Sequence, residues 1–327
     1  MTQPLDASRS AAPDWRLHAR WAYILVILAT LFWAGNMVLG RALRDQIGPF
    51  TLAAGRVAIA SLVYLPLMLR LSPSERRAGR EWPWLLGMAL LGIVGCPVTL
   101  YLALRYTTAS STAMITGSGP LITVFLAAWL LRTRLTRGEL AGAILSLLGV
   151  LLVIGGKESS AAGGAAPEWG DRVIGDLIMI GNVIMWGLYS VMSRVVTRKR
   201  ATIWATAFST WFALPFLVPA AALEWRQMPP TITVPVVLAV LYIGVFATSL
   251  GNLAWNEGVR RLGPGGAMAF YNMLPVFGVL LGAVFLQERL APVQFLGGGL
   301  IVAGGLLAAL WARGTTPEAI RPSVSRP

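Results

Sequence analysis

The chain is poor in the residues that most chemistry needs. It has one cysteine, Cys96, and one histidine, His18, in 327 residues, and only 13% of its residues are charged. A single thiol excludes an internal disulfide and a cysteine metal cluster, and Cys96 reads as a small packing residue in a helix. Acid/base or nucleophilic catalysis would want histidines, paired acids or a nucleophile beside a base within the apolar part of the chain, and those are missing. No cofactor and no metal site are therefore expected, and the chain reads as a non-enzyme. A membrane-embedded lipid-modifying enzyme is kept as the alternative from another class. The first apolar run, beginning at Trp21, lacks a small-residue cleavage site, so it reads as an uncleaved span rather than a signal peptide.

Apolar residues are what the chain has in excess. They make up 56% of it, with a mean hydropathy of +0.67, well outside the soluble norm. The reading is an all-α integral membrane protein. The net charge of +13 does not point to nucleic acid, because the basic residues sit between apolar segments rather than on one face. Spans of about 20 residues, enough to cross roughly 30 Å of hydrocarbon, are predicted at 22–43, 50–70, 83–104, 109–131, 138–155, 173–194, 202–223, 234–256, 264–286 and 292–312.

These ten transmembrane helices form two inverted five-helix repeats. Pro120 to Leu135 (PLITVFLAAWLLRTRL) returns 155 positions later as Pro275 to Leu290 (PVFGVLLGAVFLQERL), and Gly142 and Gly149 return as Gly297 and Gly304. Trp33 and Arg41 are spaced like Trp186 and Arg194. Such self-similarity signals a duplicated architecture. The expected divisions are a cytoplasmic tail at 1–21, a first repeat at 22–155, an external Gly/Ala/Ser-rich linker at 156–171, a second repeat at 172–312 and a cytoplasmic tail at 313–327. With the N-terminus in the cytoplasm, 19 of the 27 basic residues fall in inner segments and 7 in outer ones, which favours N-in and C-in. Because five is odd, the second half enters the membrane from the opposite side. Halves related in this way make a midplane site that opens to either side by exchanging conformations.

LFWAGNMVLGRAL (31–43), Pro49 with Arg56, Gly175–Asp176 with Trp186, and the paired Pro…Arg-Leu stretches resemble the EamA branch of the drug/metabolite transporter superfamily. The resemblance spans about residues 22 to 312. It implies ten helices, with helices 1 to 4 and 6 to 9 around a central cavity and 5 and 10 at the periphery. It also implies a small-molecule carrier, often an exporter of amino acids or other metabolites, in the cell (inner) membrane. One departure is Thr133, which stands where the second half has Glu288.

Polar side chains within a span usually face protein or water, and residues at i, i+3 or i+4 and i+7 share a helix face. On that basis the expected substrate-binding set is Trp33, Asn36, Arg56, Thr116, Asn182, Trp186, Tyr189, Asn252, Trp255, Tyr271 and Asn272. Arg56 is the costliest of these: seven residues beyond Pro49, it lies roughly 10 Å inside the helix end. Two readings stay open for it, an anchor for a substrate carboxylate or phosphate, and a structural partner to helix-end carbonyls or to Asp176. Pro120 and Pro275 would free the carbonyls of Thr116 and Tyr271. No carboxylate falls plainly at mid-depth, which favours exchange or facilitated efflux over an evident proton pump. The expected partners are a small-molecule substrate and the bilayer. A lipid or glycolipid flippase is the rival within transport, and the glycines of helices 5 and 10 leave a monomer or a homodimer open.

Overall fold

A computed structural model describes residues 15–77, 79–119, 121–122, 125–126, 137–155, 159–160, 168–271, 273–289 and 291–314. They form thirteen helices: α1 (Trp15–Ala42), α2 (Pro49–Leu69), α3 (Pro73–Arg76), α4 (Trp82–Gly87), α5 (Cys96–Tyr106), α6 (Ala109–Thr116), α7 (Arg137–Gly155), α8 (Trp169–Thr197), α9 (Thr202–Glu224), α10 (Val234–Tyr242), α11 (Gly251–Tyr271), α12 (Met273–Leu286) and α13 (Pro292–Gly314). Beside them lies one two-residue antiparallel ladder, Ser159–Ser160 with Glu288–Arg289. Among the described residues, six helices are long and apolar enough to cross a membrane: Trp21–Ala42, Pro49–Leu69, Trp82–Tyr106, Trp169–Thr197, Thr202–Glu224 and Val234–Arg261. Large apolar side chains such as Leu62, Leu177, Val218 and Leu238 on these helices, and Leu147 and Phe285 on α7 and α12, stand exposed. In water so much exposed apolar surface would aggregate; in hydrocarbon it is solvated. The protein is an integral, multi-pass membrane protein.

Helix starts and stops follow local chemistry. Proline occupies the first turn of α2, α4 and α10, where its missing N–H costs nothing. At the start of α2 the Glu224 carboxylate accepts from the N–H of Phe50 (3.2 Å) and of Thr51 (2.8 Å) and from the Thr51 hydroxyl (2.7 Å). Such groups have no water to turn to within a bilayer. α6 stops at Thr116, four residues before Pro120, the residue whose carbonyl loses its partner when proline removes an N–H. Pro120 itself, like most of the expected 117–131 part of that span, lies outside the described residues.

The segments leading into α5 and α11 are π-helical, at Met88–Gly95 and Ile243–Leu250. They occupy matching places in the two repeats, 155 positions apart. In the second, the hydroxyls of Thr248 and Ser249 bond the carbonyls of Ile243 and Gly244, five residues back, each at 2.8 Å. The wide turn leaves main-chain carbonyls free for the other half of the molecule.

A two-fold relation is visible in the contacts. Glycines 142 and 149 of α7 face glycines 304 and 297 of α13: a Cβ on Gly149 would come within 2.5 Å of the Gly297 carbonyl oxygen, and one on Gly304 within 2.5 Å of Gly142 O. The pairing is crossed, as a two-fold axis requires. These glycines are thus spent on packing α7 against α13 within one chain. One expectation changes. A connection was predicted between 256 and 264, but α11 runs through it without a break to Tyr271. Glu257 pairs with Arg260 and Arg261, one turn on, and such i to i+3 and i+4 pairs support a continuing helix.

Candidate functional site

Where α1, α2, α5, α8 and α11 converge they line a cavity of about 70 Å³, room for a few waters. Its lining includes Trp33, Asn36, Arg56, Thr116, Asn182, Trp186, Asn252 and Tyr271, eight of the eleven residues predicted for the site. Tyr189 and Trp255 lie behind the wall, fully buried. Asn272 lies outside the described residues.

The wall on one side is aromatic. Trp33 meets Trp186 edge to face at 5.1 Å, Trp255 at 5.5 Å and Tyr271 at 6.2 Å, and Trp186 stacks on Tyr189 at 5.0 Å. Trp33 and Trp186 hold matching positions in the two repeats, so their contact falls on the two-fold itself. Edge-to-face pairs of this kind add about 1 kcal/mol beyond the area they bury. The Trp33 indole N–H is committed to the Ala247 carbonyl at 2.9 Å, one of those exposed by the second π segment. The Trp186 indole N–H is buried without a partner among the described residues.

Arg56 shares the cavity lining with this wall. It is 5% exposed, donates from Nε to Thr248 Oγ1 at 2.6 Å and from Nη1 to Tyr101 Oη at 2.9 Å, and makes no ion pair among the described residues. Neither structural partner foreseen for it is used: Thr248 and Tyr101 hold it, while Asp176 bonds Thr107 and Ser111. Tyr101 in turn donates to Asn36 Oδ1 at 2.7 Å, which fixes the guanidinium through a relay. Among the described residues, no aspartate or glutamate lines the cavity. A desolvated cation held only by neutral groups attracts an anion strongly.

The remaining amides divide into committed and free. The Asn182 amide donates to the Cys96 carbonyl and, at 2.9 Å, to Thr99 Oγ1, tying α8 to the end of the first π segment. Thr116 Oγ1 bonds its own helix at Thr112 O, 2.8 Å away. Asn252 lines the cavity and is 5% exposed, with its side-chain amide uncommitted among the described residues. The groups free to meet a solute are therefore Arg56, Asn252 and the indole of Trp186. Sequence reasoning missed Tyr101 and Thr248, which seat Arg56, and Cys96, which borders the cavity. Thr248, Ser249 and Gly251 clustered within an apolar run were the available signal for the π segment that carries the seat.

A helical membrane protein with halves related by a two-fold, closed around a small cavity that holds one buried cation, has the build of a carrier. The chain matches the model of the EamA-like transporter family over residues 20–155 and again over 173–310, and it belongs to that family. An uncharacterized transporter of Archaeoglobus fulgidus is 25% identical over 86% of this chain and 95% of its own length. The uncharacterized transporter YetK of Bacillus subtilis is 25% identical over 86% of this chain and 85% of its own. A protein of Streptantibioticus cattleyicolor described as a probable terminal-alkyne amino-acid exporter is 22% identical over 93% and 97%. A solved crystal structure, 25% identical, superposes with a TM-score of 0.61 over 90% of this chain and 98% of that one.

Proposed function

We propose that this membrane transporter exports small metabolites bearing a carboxylate, amino acids or related compounds, by alternating access. The supporting observation is Arg56, a buried cation with no protein counter-charge among the described residues, which shares the cavity lining with an aromatic wall. A carboxylate would take the remaining guanidinium valence at Nη2, the Asn252 amide and Trp186 N–H would bond the polar part, and the rings would take an apolar or aromatic body. The same reading has ten spans arranged as two inverted repeats, with both termini in the cytoplasm of a cell whose inner membrane holds the protein. The cavity of about 70 Å³ is then the contracted state, which widens as the halves exchange conformations.

The test is ligand-induced thermal stabilisation of the purified protein, screened across amino acids, amines, nucleosides and sugar phosphates. A ligand at 100 times its Kd adds roughly 2.7 kcal/mol. Carboxylate-bearing compounds should raise Tm, and Arg56→Ala should abolish the rise. Stabilisation by amines that lack a carboxylate, or a rise unchanged in Arg56→Ala, would overturn the reading.

A further inference from the structure

Asp176 stands apart from the cavity lining and plays no part in the substrate reading. It lies seven residues into α8 and is fully buried. Three residues on, Met179 lines the cavity, so Asp176 sits on the same face of α8, one turn toward the helix start. Its Oδ1 accepts from Thr107 Oγ1 at 2.7 Å, at the end of α5, and from Ser111 Oγ at 3.1 Å, on α6. Its Oδ2 is buried with no hydrogen-bond partner among the described residues. No ion pair reaches it among the described residues.

The charged groups nearby are few. Arg172 lies one turn earlier on α8 and acts on Asp176 through space, and Asp171 beside it is exposed. From the α1 and α5 side, Arg41 donates to the carbonyls of Leu104 and Arg105, and Arg105 reaches the sulfur of Met228. Glu288 grips the start of α6 from the opposite flank, and its charge is matched by the N–H of Ala109 (3.0 Å), the N–H of Ser110 (2.9 Å) and the Ser110 hydroxyl. A left-handed turn at Gln287, φ 54°, aims Glu288 there. The start of α6 is thus clamped between two carboxyl groups, one satisfied and one not. A carboxylate oxygen that is bare and away from water is costly; a proton on it removes the charge, and parting α6 from α8 would instead hydrate it.

We propose that Asp176 is a proton-binding site that latches this end of the cavity: it holds a proton while α5, α6 and α8 are closed on it and releases the proton as they part. A ligand that binds one state more tightly draws the population to that state, so acid favours closure. The site goes beyond the substrate reading. That the latched end is the outer one rests on the orientation proposed above, and a proton taken up there after substrate release would return the carrier to the closed state.

The experiment needs no substrate. Ala109, at the start of α6 and 0% exposed, is replaced by cysteine in a Cys96→Ser background, and labelling by a membrane-impermeant maleimide is followed against pH in nanodiscs. Rates are normalised to the unfolded protein to remove thiol chemistry. The rate should fall several-fold on acidification, and Asp176→Asn should hold it low at every pH. Infrared difference spectra between acid and neutral pH should show a carboxyl C=O band that Asp176→Asn removes and Thr107→Val, which deletes one donor to Oδ1, shifts in frequency. Labelling that keeps its pH dependence in Asp176→Asn, shows none in the parent, or a C=O band indifferent to both substitutions overturns the proposal. Thr107→Val keeps the infrared arm decisive should Asp176→Asn not fold. Labelling in intact cells against inverted vesicles reports the side separately, so a wrong orientation is told apart from a wrong site.

Discussion

In the first repeat a carboxamide on α1 meets a phenol on α5: Asn36 accepts from Tyr101. At the matching place in the second repeat the types are exchanged, and Asn256 on α11 donates to Tyr189 on α8 at 3.2 Å. The bond between the paired helices is kept while its two ends trade chemistry. The consequences differ. Tyr101 goes on to seat Arg56, whereas the matching position to Arg56 is Ser209, which only bonds its own helix at Thr206 O. Asn256 instead collects a network, donating also to Thr206 Oγ1 at 2.9 Å and accepting from Ser193 Oγ at 3.0 Å. The first half supplies the charge of the cavity and the second half the hydrogen-bonded wall behind it. Symmetry in the backbone therefore coexists with one-sided chemistry, which a carrier needs if its solute is to bind in one orientation.

The sharpest way to break that division is at the cation. Removing one partner of a buried charge pair costs on the order of 3 kcal/mol, so Arg56→Ala should weaken the Kd of a carboxylate ligand roughly 100-fold, while Ser209→Ala should leave it within about twofold. Calorimetric titration of both variants checks this, and equal effects would erase the distinction between the halves. Next in size are the glycines that join the halves. Gly149→Ala forces a methyl onto the Gly297 carbonyl, and overpacking of this kind costs about 1–3 kcal/mol. Gly299→Ala, where nothing lies within 4 Å, should leave Tm unchanged. The Asn/Tyr exchange then predicts crossed readouts. Asn256→Ala, which strips three partners, should cost stability by about 1–2 kcal/mol with ligand affinity held. Asn36→Ala should lower affinity more than Tm.

How much of this was legible in the sequence depends on what leaves a compositional trace. Membrane class, helicity and the duplication could be read because apolar runs and a repeated Pro…Arg-Leu stretch are one-dimensional signals. Trp33, Trp186, Asn252 and Arg56 stood out because polar and aromatic groups in apolar runs are costly unless they face one another. The π segments did not stand out: widening a helix by one residue per turn needs no special residue, and the signature hydroxyls of Thr248 and Ser249 look like ordinary span polarity. Tyr189 and Trp255 show the limit of face arguments, since a stripe says which side of a helix is turned inward but not whether a side chain ends at the cavity or behind it. The continuity of α11 through 257–263 leaves little trace in sequence, because Arg260 and Arg261 look like loop charges until Glu257 is seen to hold both on the helix.

The smallest contrast lies at the ends of the spans. The start of α2 is held by Glu224 through main-chain N–H groups. Near the start of α9, its counterpart, the acid Glu81 instead pairs with Arg200 at 3.2 Å, and Trp204 packs under the guanidinium at 4.9 Å. The hydrogen bond from Arg200 holds the Glu81 carboxyl below its usual range. A depressed carboxyl contributes stability that is present above its unfolded pKa and is lost as pH falls through the folded one. Because the pair is only partly buried and lies at a span end, it is worth about 1 kcal/mol or less. Glu81→Gln should therefore lower Tm slightly at neutral pH, and the difference from the parent should vanish in acid. Glu224→Gln, which weakens a charged cap on two main-chain N–H donors and the Thr51 hydroxyl, should lower Tm more. Melts of both variants at the same two pH values separate a partly buried ion pair from a helix cap, and a larger loss at Glu81 would reverse their ranking.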